Sequence, residues 1–212
     1  VARPTRAAIL AGGRAARLGG RRKHALEIGG RTVLDRIADA VLEYDPAADL
    51  CVAGPELPEI AERRPGLRWV REEPPFAGPA AGVAAAMAAL EPDEDAVVLL
   101  LAGDLPLITA AACAALCAAA GAGAPALAAD ASGRDQYLCA AWPEPVLRER
   151  LDGLGDATGL PVRRLYAGSP EPTRVGLPEE VLADIDAPAD LDRVRALIEG
   201  RGRPGRPRAA RD

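Results

Sequence analysis

The stretch "LAGGRAARLGGRRK", residues 10–23, sets two glycine pairs among four arginines and ends on Lys23. Backbone without side chains at Gly12 and Gly13 lets amide groups come close to a ligand, and the positive charge asks for a polyanion, so a nucleoside triphosphate is the expected guest. The chain holds 25 Arg, no Asn and one Lys, which is Lys23. In a composition that supplies arginine wherever charge alone is needed, one retained lysine implies a compact ammonium where a planar guanidinium would not serve. The second candidate is Asp104, at the end of "AVVLLLAGD". A carboxylate closing a buried run must be solvated, paired or bound to a cation, and Mg2+ takes one or two carboxylates together with phosphate oxygens. Capping of a following helix is the alternative role for Asp104. The glycines match neither Gly-x-Gly-x-x-Gly nor the Walker loop, so dinucleotide oxidoreductases and P-loop ATPases are not indicated.

Elements must bring these residues together. "RAAIL" (6–10) reads as a buried strand feeding the loop, "LCVAG" (50–54) and "LRWVR" (67–71) as two further strands, and "AVVLLLAGD" (96–104) as a central strand covered on both faces. "RTVLDRIADAVLEY" (31–44) places Val33, Leu34, Ile37, Val41 and Leu42 on one helical face, with Thr32 and Asp35 as a capping pair. Helices are expected at "PEIAERRPG", at "GPAAGVAAAMAALE" opening on Pro79, at 107–121, at "PEPVLRERLDGL" and after "DIDAP", with strands at "APALAAD" and "QYLCAAW". This alternation predicts a single Rossmann-like, three-layer α/β/α domain over 1–199 with a mostly parallel central sheet, whose ligand sits at the carboxyl ends of the strands. Gly12, Lys23 and Asp104 then meet in one cleft.

The net charge is −5, yet Gly200–Asp212 carries five Arg against one Asp, so the body of the chain is the more acidic part. A general nucleic-acid face is disfavoured on that body. The Gly/Pro/Arg segment 200–212 reads as a disordered tail, with a nucleic-acid arm as the lesser reading. Aromatics are only 3%, which argues against base readout by stacking surfaces. Cys51, Cys113, Cys117 and Cys139 form no Cys-x-x-Cys pair, and "VARPTRAAIL" reads as no signal peptide, so the cytoplasm is the expected compartment. Cys113 and Cys117 read as small buried hydrophobes, Trp69 and Trp142 as packing residues, and His24 as structural or solvated. No membrane contact is expected.

The ordered set Leu10-Ala11-Gly12-Gly13, Arg17-Leu18-Gly19 and Lys23 resembles the signature loop of nucleotidyltransferases with the glycosyltransferase-A-like, nucleotide-diphospho-sugar transferase-like fold, and most closely the molybdenum cofactor guanylyltransferases. Further likeness lies in "LEIGGRTVLDR" (26–36), "REEPPFAGPAAGV" (71–83), "LLAGDLPLIT" (100–109), "GRDQYLCAAW" (133–142) and "DIDAPADL" (184–191). The resemblance implies transfer of GMP from GTP to molybdopterin, with Mg2+ on Asp104 and Lys23 on the triphosphate, and with Arg17 as a second cation or a solvated loop residue. It implies nucleotide contacts at Leu10, Ala11, Gly12, Gly13 and Gly78. Glu73, or Glu72 beside it, stands where the family has an Asp, and Ala53 or Gly54 where it has a polar residue. At the closing motif, where guanylyltransferases often have Asn, Asp184 and Asp186 stand; Asp186 is either a second metal carboxylate or the cap of the last helix. Gln136 would face the pterin, and transient contact with other cofactor-maturation proteins is implied. CTP with molybdopterin and GTP with phospholactate are the alternatives, and outside enzymes a nucleotide-binding regulator.

Overall fold

The computed structural model describes residues 3–12, 22–121 and 123–201. The expectations for Gly13, Arg17 and the arginine-rich end past Arg201 lie outside the described residues. In chain order come β1 (Thr5–Leu10), the short hairpin β2 (Glu27–Ile28) and β3 (Arg31–Thr32), α1 (Val33–Tyr44), β4 (Asp49–Ala53), α2 (Pro58–Arg63) and β5 (Arg68–Val70). There follow α3 (Pro79–Ala88), β6 (Val97–Ala102), α4 (Ala110–Ala119), β7 (Ala126–Ala129), β8 (Asp135–Pro143), α5 (Glu144–Leu154), β9 (Thr173–Gly176) and α6 (Pro188–Arg201).

One seven-stranded sheet runs β5-β4-β1-β6-β8-β7-β9. All its strands point one way except β8, which pairs antiparallel with both β6 and β7. The doubly wound expectation therefore holds, and the reversed strand and β9 are additions to it. Strict alternation feeds two cores. Ala7 and Ile9 of β1 and Val97, Leu99 and Leu101 of β6 face α1, α2, α4 and α6, while Ala8, Leu10, Val98 and Leu100 face α3 and α5. Burial on both sides is the reason β6 carries no polar residue before its end. On the second face Gly82 of α3 packs over β1 and β4, where a Cβ would make ordinary contact, 3.7 Å, with both Ala53 and Leu10.

Helix α1 begins as its sequence requires. The Thr32 hydroxyl oxygen accepts from the Asp35 N–H at 3.0 Å and donates to the Asp35 carboxylate at 2.8 Å. Asp35 also takes Arg63 and Arg64. The four cysteines are buried and free, and burial pushes the thiols of Cys113 and Cys139 up to about 12, so they pack as apolar groups. Trp142 is fully buried, its indole N–H donating to the Tyr166 hydroxyl. Gly200 and Arg201, expected to open the tail, are instead the last residues of α6; helix ends assigned from sequence commonly shift by that much. No helix among the described residues is long and apolar enough to cross a membrane.

Candidate functional site

β1, β4 and β6 end side by side, and each continues into a glycine. The chain leaves β1 through Ala11 and Gly12, leaves β4 at Gly54 and leaves β6 at Gly103. Ala11 donates its N–H to the Ala53 carbonyl at 2.9 Å, and Gly103 donates to the Leu10 carbonyl at 2.8 Å, so the three ends are laced together. There is no room for side chains between them. A Cβ on Gly103 would stand 2.7 Å from the Leu10 oxygen, and one on Gly54 would stand 2.8 Å from the Ala11 carbonyl carbon. Both glycines hold the floor of the site, and sequence reading assigned no such role to Gly103; a glycine directly after a buried strand was the signal available. Since backbone atoms are what a Cβ would strike, Gly103→Ala is expected to cost about 1–3 kcal/mol, read as a lowered thermal midpoint, with full stability excluding this packing.

Lys23 opens a short 3-10 turn, Lys23–Ala25, that leads into β2. Its ammonium donates to Asp104 Oδ2 at 2.9 Å and to Asp186 Oδ1. The glycine-loop lysine, the end of β6 and the segment before α6 thus meet at one point, from three distant parts of the sequence. Burial pulls the Lys23 pKa down, but the hydrogen bonds to Asp186 and Asp104 outweigh it and hold it above the ordinary lysine value. Asp184 stands close by. Burial, then the charges of Asp186 and Asp104, push its pKa up.

The capping alternatives for Asp104 and Asp186 can be compared with the helix starts. Asp104 is not the cap of α4, whose N-cap is Thr109, with its side chain accepting from the Ala112 N–H. At the last helix the Asp190 carboxylate accepts from the N–H groups of Asp186 and Ala187, which leaves the Asp186 carboxylate to Lys23. Among the described residues no group of three or more His, Cys, Asp or Glu is arranged to hold a metal alone. Asp104 and Asp186 nevertheless flank one cation already and carry surplus charge, a donor set that fits Mg2+ held jointly with phosphate oxygens.

At the three strand ends Leu10, Ala11 and Ala53 are buried, with the Leu10 and Ala53 carbonyls and the Ala11 N–H taken up by the hydrogen bonds between those ends, and Gly12 is exposed. Of the two glutamates, Glu73 is exposed, whereas Glu72 is buried and aims Oε1 at Gly12, 3.6 Å from where a Cβ would stand. Glu72 is therefore the acidic group beside the glycine turn. Gly78 has φ +98°, which suits glycine, and a Cβ there would make only ordinary contact, 3.6 Å, with Gly159 and Leu160, so backbone conformation is what asks for glycine. Gln136 lies on β8 past its last pairing with β6, at the same edge of the sheet as Asp104.

His24 is structural. It is 3% exposed, with no hydrogen-bond partner for Nε2. Burial, then the Arg22 charge, lowers its pKa to about 4, offset in part by the Pro55 backbone. Unfolded histidine titrates near 6.5, so on acidification the unfolded chain takes the proton first. The stability present above pH 6.5 is lost as pH falls toward 4. Thermal melts across that window should decline more steeply in the wild type than in His24→Phe, and parallel declines would contradict this.

Comparison with known proteins follows the same lines. The family model described as the MobA-like NTP transferase domain matches residues 7–173. A nucleotidyl transferase from Methanothermobacter thermautotrophicus superposes with a TM-score of 0.72 at 23% identity, covering 93% of this chain and 99% of its own. Molybdopterin-guanine dinucleotide biosynthesis protein A from Archaeoglobus fulgidus gives 0.60 at 16%, covering 92% and 99%. The 2-C-methyl-D-erythritol 4-phosphate cytidylyltransferase of Thermus thermophilus gives 0.65 at 20%, covering 91% and 98%. These likenesses establish the shared fold. No curated protein sequence matches the chain.

Proposed function

The chain belongs to the MobA-like NTP transferase domain family and is a nucleotidyltransferase, and from that premise we propose that it moves GMP from GTP to the terminal phosphate of molybdopterin. One observation carries the reading: a single ammonium, Lys23, spans two carboxylates, Asp104 and Asp186, beside a bare glycine turn. A phosphate oxygen of the acceptor forms the new bond to the α-phosphorus as the bond from that phosphorus to the pyrophosphate bridge breaks. The electron pair leaves with pyrophosphate. The nucleophile is already anionic, so no side chain has to take a proton. What remains for the protein is alignment and charge.

Backbone amides around Gly12 approach the nucleotide, and Lys23 gives up its carboxylates to neutralise the departing pyrophosphate. Asp104 and Asp186 are then the residues that would hold Mg2+, which when bound offsets triphosphate charge. Glu72 supports the reading as a buried acceptor for ribose or base N–H and O–H groups beside the turn.

A second reading keeps the chemistry and changes the substrates, to CTP with molybdopterin or GTP with phospholactate. Ala53 favours keeping it in view, since a methyl group offers no hydrogen bond with which to tell one base from another. Pyrophosphate release is to be measured for GTP and CTP with each acceptor under Mg2+. Release only with GTP and molybdopterin supports the proposal; release with another pair replaces it; nucleotide binding without release makes the chain a regulator.

A further inference from the structure

We propose that Lys23 is an interlock: its ammonium holds the two carboxylates that a divalent ion needs, so the site admits ion and triphosphate together and neither well alone. The inference rests on the reading of this site as a nucleotide site. Lys23 donates to Asp104 Oδ2 at 2.9 Å and to Asp186 Oδ1. Among the described residues neither carboxylate has another cationic partner. An ion held between these same two oxygens must lie where Nζ lies, so the two cations exclude each other. A compact ammonium can fill such a place, which a planar guanidinium does poorly, and Lys23 is the one lysine of the chain.

The backbones on all three sides are tied in place. The Leu26 N–H closes the 3-10 turn onto the Lys23 carbonyl at 3.1 Å, and His24 in that turn is buried. Asp104 follows Gly103, whose N–H is fixed to the Leu10 carbonyl. The N–H groups of Asp186 and Ala187 are held by the Asp190 carboxylate at 3.1 and 2.8 Å. Relief has to come from the lysine side chain, which is flexible and partly exposed. Without a triphosphate it has little to move to. Asp184 and Asp190 lie within reach of its charge, but neither accepts a hydrogen bond from it, and Asp190 is already occupied by the two N–H groups. A triphosphate without a metal meets the opposite obstacle, an ammonium already neutralised and two carboxylates that repel it. Each ligand removes what hinders the other, a positive coupling that is reciprocal in binding free energy.

The test uses the full chain and Mn2+, which carboxylates bind much as they bind Mg2+, with equilibrium dialysis counting the ion held by the protein. In the absence of nucleotide, Lys23→Met is expected to bind Mn2+ about tenfold more tightly than the wild type, the scale set by two partly solvated ion pairs. Arg22→Met removes the same charge one residue away, from an exposed side chain with no ion pair among the described residues, and is expected to stay within about twofold of the wild type. The reciprocal arm uses inorganic triphosphate with a chelator present. Asp186→Asn is expected to bind it about fivefold more tightly than the wild type, and more tightly than Asp184→Asn, which removes the same charge without freeing the ammonium. Wild-type Mn2+ binding equal to that of Lys23→Met overturns the proposal. So does equal tightening by Lys23→Met and Arg22→Met, or by Asp186→Asn and Asp184→Asn, since that is a general effect of charge. Wild type given Mn2+ and triphosphate together separates this outcome from failure of the site itself. Bound Mn2+ that Asp104→Asn loses keeps the nucleotide-site reading even where the interlock fails, and no bound Mn2+ under any condition ends both.

Discussion

Lys23→Ala is expected to slow pyrophosphate release by about a hundredfold to a thousandfold, the loss typical when one preorganised charge is removed from a developing anion. The reasoning starts from position. The ammonium is held at the meeting point of three chain segments by Asp104 and Asp186, with about a quarter of the side chain exposed, so it is both ordered and able to reach a ligand. Its pKa stands above the ordinary lysine value, which keeps it charged at every pH where the enzyme would work. Loss of the pair itself costs little stability, about 1 kcal/mol or less, because the partners are partly solvated. Circular dichroism and thermal melts should therefore report an intact fold. Lys23→Arg is the sharper control: a guanidinium carries the charge but spreads it over a plane, and it is expected to recover only a minor part of the rate. Full turnover in Lys23→Ala would remove Lys23 from the chemistry.

Asp104→Asn should lower the rate by a similar factor through a different route. The change keeps shape and removes one negative charge from the only place where β6 delivers a carboxylate to the rim. Asparagine oxygen is a far poorer ligand for a hard divalent ion, so the curve of rate against Mg2+ concentration should move to higher concentration. Lys23→Ala should leave that curve where it is or shift it the other way, since the carboxylates lose a competing cation. Asp186→Asn is expected to do less, because its carboxylate is 55% exposed and already shared with water. An Asp104→Asn enzyme with an unchanged Mg2+ dependence would show that this carboxylate serves Lys23 alone.

Much of the architecture is legible in the sequence. The apolar runs of β1 and β6 and the Thr32–Asp35 cap are local patterns, and local patterns survive folding because each side chain's partner face is dictated by strand or helix period. The singular lysine and the carboxylate at the end of the most hydrophobic stretch were legible for a similar reason, being exceptions to composition that ask for a partner. Their meeting was a topological expectation, and the parallel order β4-β1-β6 fulfils it.

Other features needed the tertiary structure. That Glu72 rather than Glu73 turns toward Gly12 depends on a loop path no periodicity encodes. That Asp186 is left to Lys23 depends on Asp190 taking the cap, a choice between two carboxylates of equal propensity. Gly103 and Gly54 matter because other strands' backbones lie against them. Each of these is a contact between segments far apart in the chain, so its energy exists only once the fold has closed. Composition and period could name the charged actors; which of two neighbours turns toward Gly12 was settled by packing.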